Sequence, residues 1–132
     1  MDIYKSTGQL WQSIKRMTAG WKFNRSQTAC KQWIKRGIAL NNDGKHHEAI
    51  VCYDTAIRID PNHSMAWSFR GGALLKLGKL REARESFQKF VRCAPPEHAA
   101  HVSKAKEIIR EIEAILKKRH KGSQHGKGHK KS

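Results

Sequence analysis

The sequence predicts an all-α fold, an antiparallel helix–turn–helix repeat stack of α-solenoid type with an N-terminal helix and a long C-terminal capping helix. Three observations predict it. The first is an internal repeat: Trp33, Arg36, Gly37 and Leu40 return 34 residues later as Trp67, Arg70, Gly71 and Leu74. At the same offset Gly44-Lys45 returns as Gly78-Lys79, Glu48-Ala49 as Glu82-Ala83, Tyr53 as Phe87 and Pro61 as Pro95. The second is spacing, since Trp33, Gly37 and Leu40 fall at i, i+4 and i+7 on one helical face. The third is punctuation, with glycine at the middle of each unit and proline at its end.

The elements follow in order. Leu10, Trp11, Ile14 and Met17 form a short amphipathic stripe, Gly20 ends it, and Trp21 and Phe23 follow, so residues 1–25 read as an N-terminal amphipathic helix and linker. Burying such side chains is worth roughly 1.5–3 kcal/mol each. The segment is therefore expected to pack on the first repeat as a cap, or else to lie in the groove of its own domain. The repeat domain spans 26–119. Its first helix runs from about Ser26 to Asn42, and Asn41-Asn42-Asp43-Gly44 supplies a turn. The second helix, about Lys45 to Ile59, turns Ala49, Cys52, Tyr53, Ala56 and Ile57 inward. Asp60-Pro61 stops it, because proline lacks an N–H and restricts the residue before it. In the second unit Ser64 is expected to cap Met65–Leu77, Gly78 makes the turn, and Lys79–Cys93 is the partner helix before Pro95-Pro96. Glu97 to about Arg119 then reads as a capping helix with Val102, Ala105, Ile108, Ile109, Ile112, Ile115 and Leu116 along one side.

Charge sets the rest of the chain apart. Lys and Arg number 27 against 11 acids, a formal +16 over 132 residues. The excess is densest from Lys117 to Ser132, which holds seven Lys/Arg, three His, three Gly and no acid. Such a stretch buries too little apolar surface to offset its ordering entropy, so 120–132 is expected to be a disordered basic tail. No run approaches the roughly 20 apolar residues of a membrane span, and no secretory signal pattern opens the sequence. Cys30, Cys52 and Cys93 are odd in number and far apart, which suits reduced thiols and a cytoplasmic location.

The order Trp, Gly, Leu, Ala, Tyr, Ala, Pro over 34 residues resembles the tetratricopeptide repeat, with units at 30–63 and 64–97. The sequence departs from that family's pattern at Arg36 and Arg70, which replace leucine, and at Phe90, which replaces a small alanine. Ala99 and Ala100 are expected to leave room for Phe90. The resemblance implies a groove built from the first helix of each pair, lined by Lys31, Ile34, Ile38, Asn41 and Asn42, then Met65, Ser68, Gly72, Leu75 and Lys76. Apolar centres with lysine rims suit a protein or peptide partner with apolar anchors and some acidic character. The implied function is a non-catalytic protein–protein interaction adaptor. The plain alternative for this surface is a solvated face too short to bind.

A second functional reading rests on the tail. Lys117, Lys118, Arg119, Lys121, Lys127, Lys130 and Lys131 could contact phosphates, making the protein a basic accessory factor of nucleic acid or ribosomes. Those contacts would carry no base specificity, and the tail has no aromatic for stacking. No catalytic motif, cofactor loop or metal-ligand spacing is evident, His98/His101 and His46/His47 included, so neither an enzyme nor a metal site is expected. Val102, Ala105, Ile109, Ile112 and Leu116 follow heptad spacing for only two heptads, short of a coiled coil, and a monomer is expected over a homodimer.

Relatives that grip the C-terminal carboxylate of heat-shock chaperones use Lys, Asn and Arg at positions occupied here by Ile34, Ile38, Phe69, Ala99 and Ser103. A chaperone C-terminal peptide is therefore expected to give no heat of binding at micromolar concentration in calorimetry. Micromolar binding lost on Ile34→Glu or Ile38→Glu would contradict this.

Overall fold

The computed structural model describes residues 25–129, with side chains as far as residue 122. The amphipathic stripe from Leu10 to Met17, with Trp21, Phe23, Lys130 and Lys131, lies outside the described residues. Helix α1 occupies 25–42, α2 His46–Ile59, α3 Ser64–Lys76 and α4 Leu80–Cys93; a 3₁₀ turn at Pro96–His98 leads into α5, Ala99–His129. No strand occurs among the described residues. Helix α3 packs on both α2 and α4, and α4 packs on α5.

The turns explain the repeat's hairpins. Gly44 and Gly78 adopt φ of 81° and 73°, a region closed to most side chains. At the first turn the Lys45 N–H donates to Leu40 O at 2.9 Å and the Gly44 N–H to Asn41 O at 3.1 Å. At the second, Lys79 N–H donates to Leu74 O and Gly78 N–H to Leu75 O, both at 3.0 Å. Each pair is a Schellman cap, which satisfies carbonyls left over at a helix end and reverses the chain. Between units, the Asn62 N–H donates to Asp60 Oδ1 at 3.1 Å and the Trp67 indole N–H to Pro61 O at 2.8 Å. The second contact ties α3 to the loop that precedes it.

Within each hairpin an aromatic ring lies against bare backbone. A Cβ added at Gly37 would sit 2.5 Å from Tyr53 Cε1, and one at Gly71 would sit 2.9 Å from Phe87 Cε2. Around these contacts two cores form. One holds Cys30, Ile34, Ala49, Tyr53, Ala56, Ala66 and Ala73; the other holds Leu74, Ala83, Phe87, Phe90, Ala105 and Ile112. Tyr53 also stacks on Phe69 of the next unit, centroids 5.9 Å apart.

Arg70, where the repeat pattern would place leucine, joins three helices. Its Nε donates to Asp54 Oδ1 on α2 at 2.7 Å, and its NH1 to Ser86 Oγ on α4 at 2.7 Å. Ser86 is fully buried, and a buried hydroxyl left without a partner costs about 1–3 kcal/mol. Its counterpart in the first unit is Cys52, which makes no such demand. Arg36, the counterpart of Arg70, lies 5.7 Å over the Trp33 ring instead.

Three expectations change. Ala99 and Ala100 are exposed and do not make room for Phe90. Phe90 packs instead with Ala105 and Ile112, because the 3₁₀ turn delays the start of α5 and brings Val102, Ala105, Ile109, Ile112 and Leu116 onto its inner face. Ser64 is the first helical residue and is buried, with His63 in the cap position, so its hydroxyl caps nothing. Helix α5 does not stop near Arg119 but runs to His129. No proline follows Pro96, and lengthening an existing helix avoids the cost of nucleating a new one. The 34-residue offset also carries on into α5: Trp67, Gly71 and Leu74 are followed by His101, Ala105 and Ile108. Helix α5 thus stands as the first helix of a third unit.

Two glycines one residue apart from the repeat pattern should respond oppositely to alanine. Gly37→Ala drives a methyl into the Tyr53 ring and should cost about 1–3 kcal/mol. A Cβ at Gly72 meets nothing within 4 Å, so Gly72→Ala should gain about 0.5–1 kcal/mol from helix propensity. Urea unfolding of both variants measures the pair.

Tyr53 gives a pH signature. Its hydroxyl is buried and finds no hydrogen-bond partner among the described residues; burial first, and the Cys52 sulfur second, push its pKa up to about 12. The folded state holds this proton more tightly than the unfolded chain, whose tyrosine titrates near ~10. The contribution is whole below about pH 10 and is lost as pH rises toward 12. Tyr53→Phe should change stability at neutral pH by no more than about 1 kcal/mol and should flatten the decline between pH 10 and 12. Thermal melts across that range check both.

Candidate functional site

Helices α1 and α3, the first members of the two hairpins, lie side by side and share an open pocket of about 510 Å³. Thr28, Lys31, Gln32, Ile34 and Lys35 line it from α1, His63 and Met65 from the start of α3. Its walls are mainly apolar. Ile34 is 6 % exposed and forms the floor, because most of its side chain is committed to the first core. Met65 is half-buried against the second core, so the pocket sits over the seam between the two units. Lys31 and Lys35 are exposed and stand one helical turn apart at the rim.

The expected groove residues divide into those this pocket gathers and those it does not. Lys31, Ile34 and Met65 meet in it. Ile38 is half-buried against the first core and Leu75 against the second. Ser68 and Gly72 are half-buried, and the space in front of Gly72 is open. Asn42 and Lys76 are exposed near the hairpin turns. The Asn41 amide oxygen accepts from His46 Nδ1 at 2.5 Å, so it braces the turn between α1 and α2. Thr28, Gln32 and Lys35 were not expected, yet helical spacing from Lys31 and Ile34 could have found them. His63 could not have been found that way, because a loop rather than a helix brings it in.

The pocket offers apolar surface at Ile34 and Met65 and cations at Lys31 and Lys35. Among the described residues no group of three or more His, Cys, Asp or Glu is placed to hold a metal ion. The thiol of Cys30 lies behind Ile34 in the core, donates to Ala56 O at 3.5 Å, and is pushed up in pKa by burial and then by Asp60. It is a packing group. Cys52 is buried as well, and Cys93 is half-buried beside the loops between units.

The basic residues expected to meet phosphate take a separate place. Lys117, Lys118, Arg119 and Lys121 are exposed in the C-terminal half of α5, and Arg119 lines a second pocket of about 500 Å³ with Lys79 of the turn before α4 and Arg81 of the first turn of α4. Lys127 falls within α5 by its backbone.

Hairpins whose first helices share one face, each backed by a second helix, define a helical-repeat scaffold of the α-solenoid class. The chain belongs to the tetratricopeptide-repeat family, whose repeat matches residues 30–63 and again 66–96. It is 35 % identical over 86 residues to a TPR repeat-containing thioredoxin of Arabidopsis thaliana, covering 65 % of this chain and 13 % of that protein. It is 33 % identical over 69 residues to a protein of Methanocaldococcus jannaschii, covering 52 % of this chain and 78 % of the relative. Of human superkiller complex protein 3, which it matches at 28 % identity, it spans 6 %. The chain thus spans a small part of the length of these two larger relatives. Among solved structures, a type III secretion complex from Aeromonas hydrophila superposes with TM-score 0.65 at 17 % identity, covering 86 % of this chain and 84 % of that one. The second TPR of Spaghetti, solved with an HSP90 peptide, gives 0.61 at 23 % identity, covering 76 % and 91 %. Both share the fold. No helix among the described residues is long and apolar enough to cross a membrane.

Proposed function

We propose that this protein is a non-catalytic interaction adaptor that holds a peptide or helix of a partner protein along the face of α1 and α3. The observation that carries this reading is the open pocket over the seam, with Ile34 and Met65 at its apolar centre and Lys31 and Lys35 at its rim. An apolar anchor of the ligand fills the centre, and acidic residues flanking that anchor meet the lysines. Solved relatives of the fold support peptide binding as a use of such a face, since one was solved with an HSP90 peptide and another with the chaperone-binding region of PopD. The ligand here differs from a chaperone tail, because Ile34, Ile38 and Phe69 offer no charge to a terminal carboxylate. The three free cysteines, Cys30, Cys52 and Cys93, support a cytoplasmic location in this reading. It acts as a monomer in this reading, since one chain supplies the whole face.

Gly72 gives the means of testing this without unfolding the chain. Peptides selected from a random display library on the wild-type protein should carry an apolar residue beside acids. Gly72→Phe puts a ring into the open space on the face, and Met65→Glu puts a charge in the pocket. Each should weaken the selected peptides at least about tenfold, or 1.4 kcal/mol, in fluorescence anisotropy. Peptides that bind both variants as tightly as wild type would place recognition elsewhere.

A further inference from the structure

We infer that the turn between α3 and α4, the first turn of α4 and the Leu116–Lys121 stretch of α5 together form a docking site for a nucleic-acid phosphate backbone, separate from the peptide-binding face. The pocket there measures about 500 Å³ and is lined by Gly78, Lys79, Leu80, Arg81, Glu82, Leu116, Arg119 and His120. What the sequence separates by about forty residues, the antiparallel packing of α4 and α5 brings together: Leu80 and Leu116 share the second core and hold the two basic segments side by side.

Charge and exposure define the ligand. Lys79, Arg81 and Arg119 are exposed and form no ion pair among the described residues, and Glu82 is the one acid in the lining. Beyond the pocket Lys117, Lys118 and Lys121 add to the same end of the molecule, Lys117 and Lys121 one turn apart on α5. No acid follows Glu113 anywhere in the sequence. Six Lys/Arg are more than a single phosphate monoester can engage, and they are distributed over two segments as a ligand with repeated phosphates requires. A membrane surface needs protruding apolar anchors beside the charge, and here Ile115, 41 % exposed, stands alone among the described residues of this end. No Phe, Tyr or Trp lines the pocket, and its cations meet phosphates rather than base edges, so binding is independent of sequence.

The test uses the full chain and a fluorescein-labelled DNA duplex of mixed sequence, with affinity measured by anisotropy across a salt series. The informative variant is the double exchange Lys79→Glu with Arg81→Glu, because it leaves α5 untouched. It should weaken binding about tenfold or more at low salt and reduce the slope of log K against log salt by roughly 2, one unit for each lost phosphate contact. If circular dichroism shows that the charge reversal unfolds the chain, Lys79→Gln with Arg81→Gln reports the same slope change. Met65→Glu should leave duplex binding as it was, which separates this site from the peptide-binding face. Unchanged affinity and slope in the Lys79/Arg81 variant would overturn the proposal, since the cations of α5 would then act alone. So would displacement of the duplex by polyglutamate, or by phosphatidylserine vesicles, at equal negative charge, which would identify an acidic polypeptide or a membrane surface as the ligand.

Discussion

Each hairpin in this protein depends on an aromatic ring meeting a stretch of helix that has no side chain. The Tyr53 ring lies so near Gly37 that a methyl group there would fall within 2.5 Å of it, and Phe87 stands over Gly71 in the same way. Dispersion falls off steeply with distance, so this contact rewards the closest approach two helices can make. It also sets the angle of the hairpin and the position of the Schellman turn that closes it. The second helix of each unit then presents alanines, Ala49 and Ala83, where the first helix arrives. Everything on the opposite face, including the pocket at Ile34 and Met65, is positioned by what happens at these two rings.

The units are alike in their hairpins and different in their seams. The first core closes with alanines, Ala56, Ala66 and Ala73, and the ring of Phe69 lies over Tyr53. Arg70 adds a polar clasp that reaches back to Asp54 and forward to Ser86, so disturbing either hairpin exposes a charge or a hydroxyl to an unmatched environment. Two repeats are few for such a stack, because a unit buries its faces only against neighbours. Helix α5 supplies the missing neighbour on one side, continuing the offset through Ala105 and Ile108 before its own inner face runs on to Ile112 and Leu116.

The hairpins were legible in the sequence because their determinants are local and recur at one offset. Trp33 and Trp67, Gly44 and Gly78, Pro61 and Pro95 mark the same places twice. The groove was legible only through the family resemblance, which named Lys31, Ile34 and Met65, residues that line one pocket here. Its detail was not: Asn41 turned out to brace His46, and His63 enters through the loop between units. The accommodation of Phe90 was misread because a 3₁₀ turn of three residues, invisible to a helical pattern, rotates the start of α5. The pairing of Lys79 and Arg81 with Arg119 was also out of reach, as it follows from antiparallel packing and leaves no periodic trace.

Phe90 has a consequence for how such a chain can grow. Its counterpart one unit earlier is Ala56, and both are fully buried at the point where the next helix arrives. At the seam between α2 and α3 the small residue is the one that 34-residue duplication would copy, so another unit spliced there would meet matching surfaces on both sides. At the seam between α4 and α5 the larger ring is fitted to Ala105 and Ile112, and an ordinary unit arriving there would find that space occupied. The array can lengthen by duplication from within, while its C-terminal seam is fixed to the particular helix it already has.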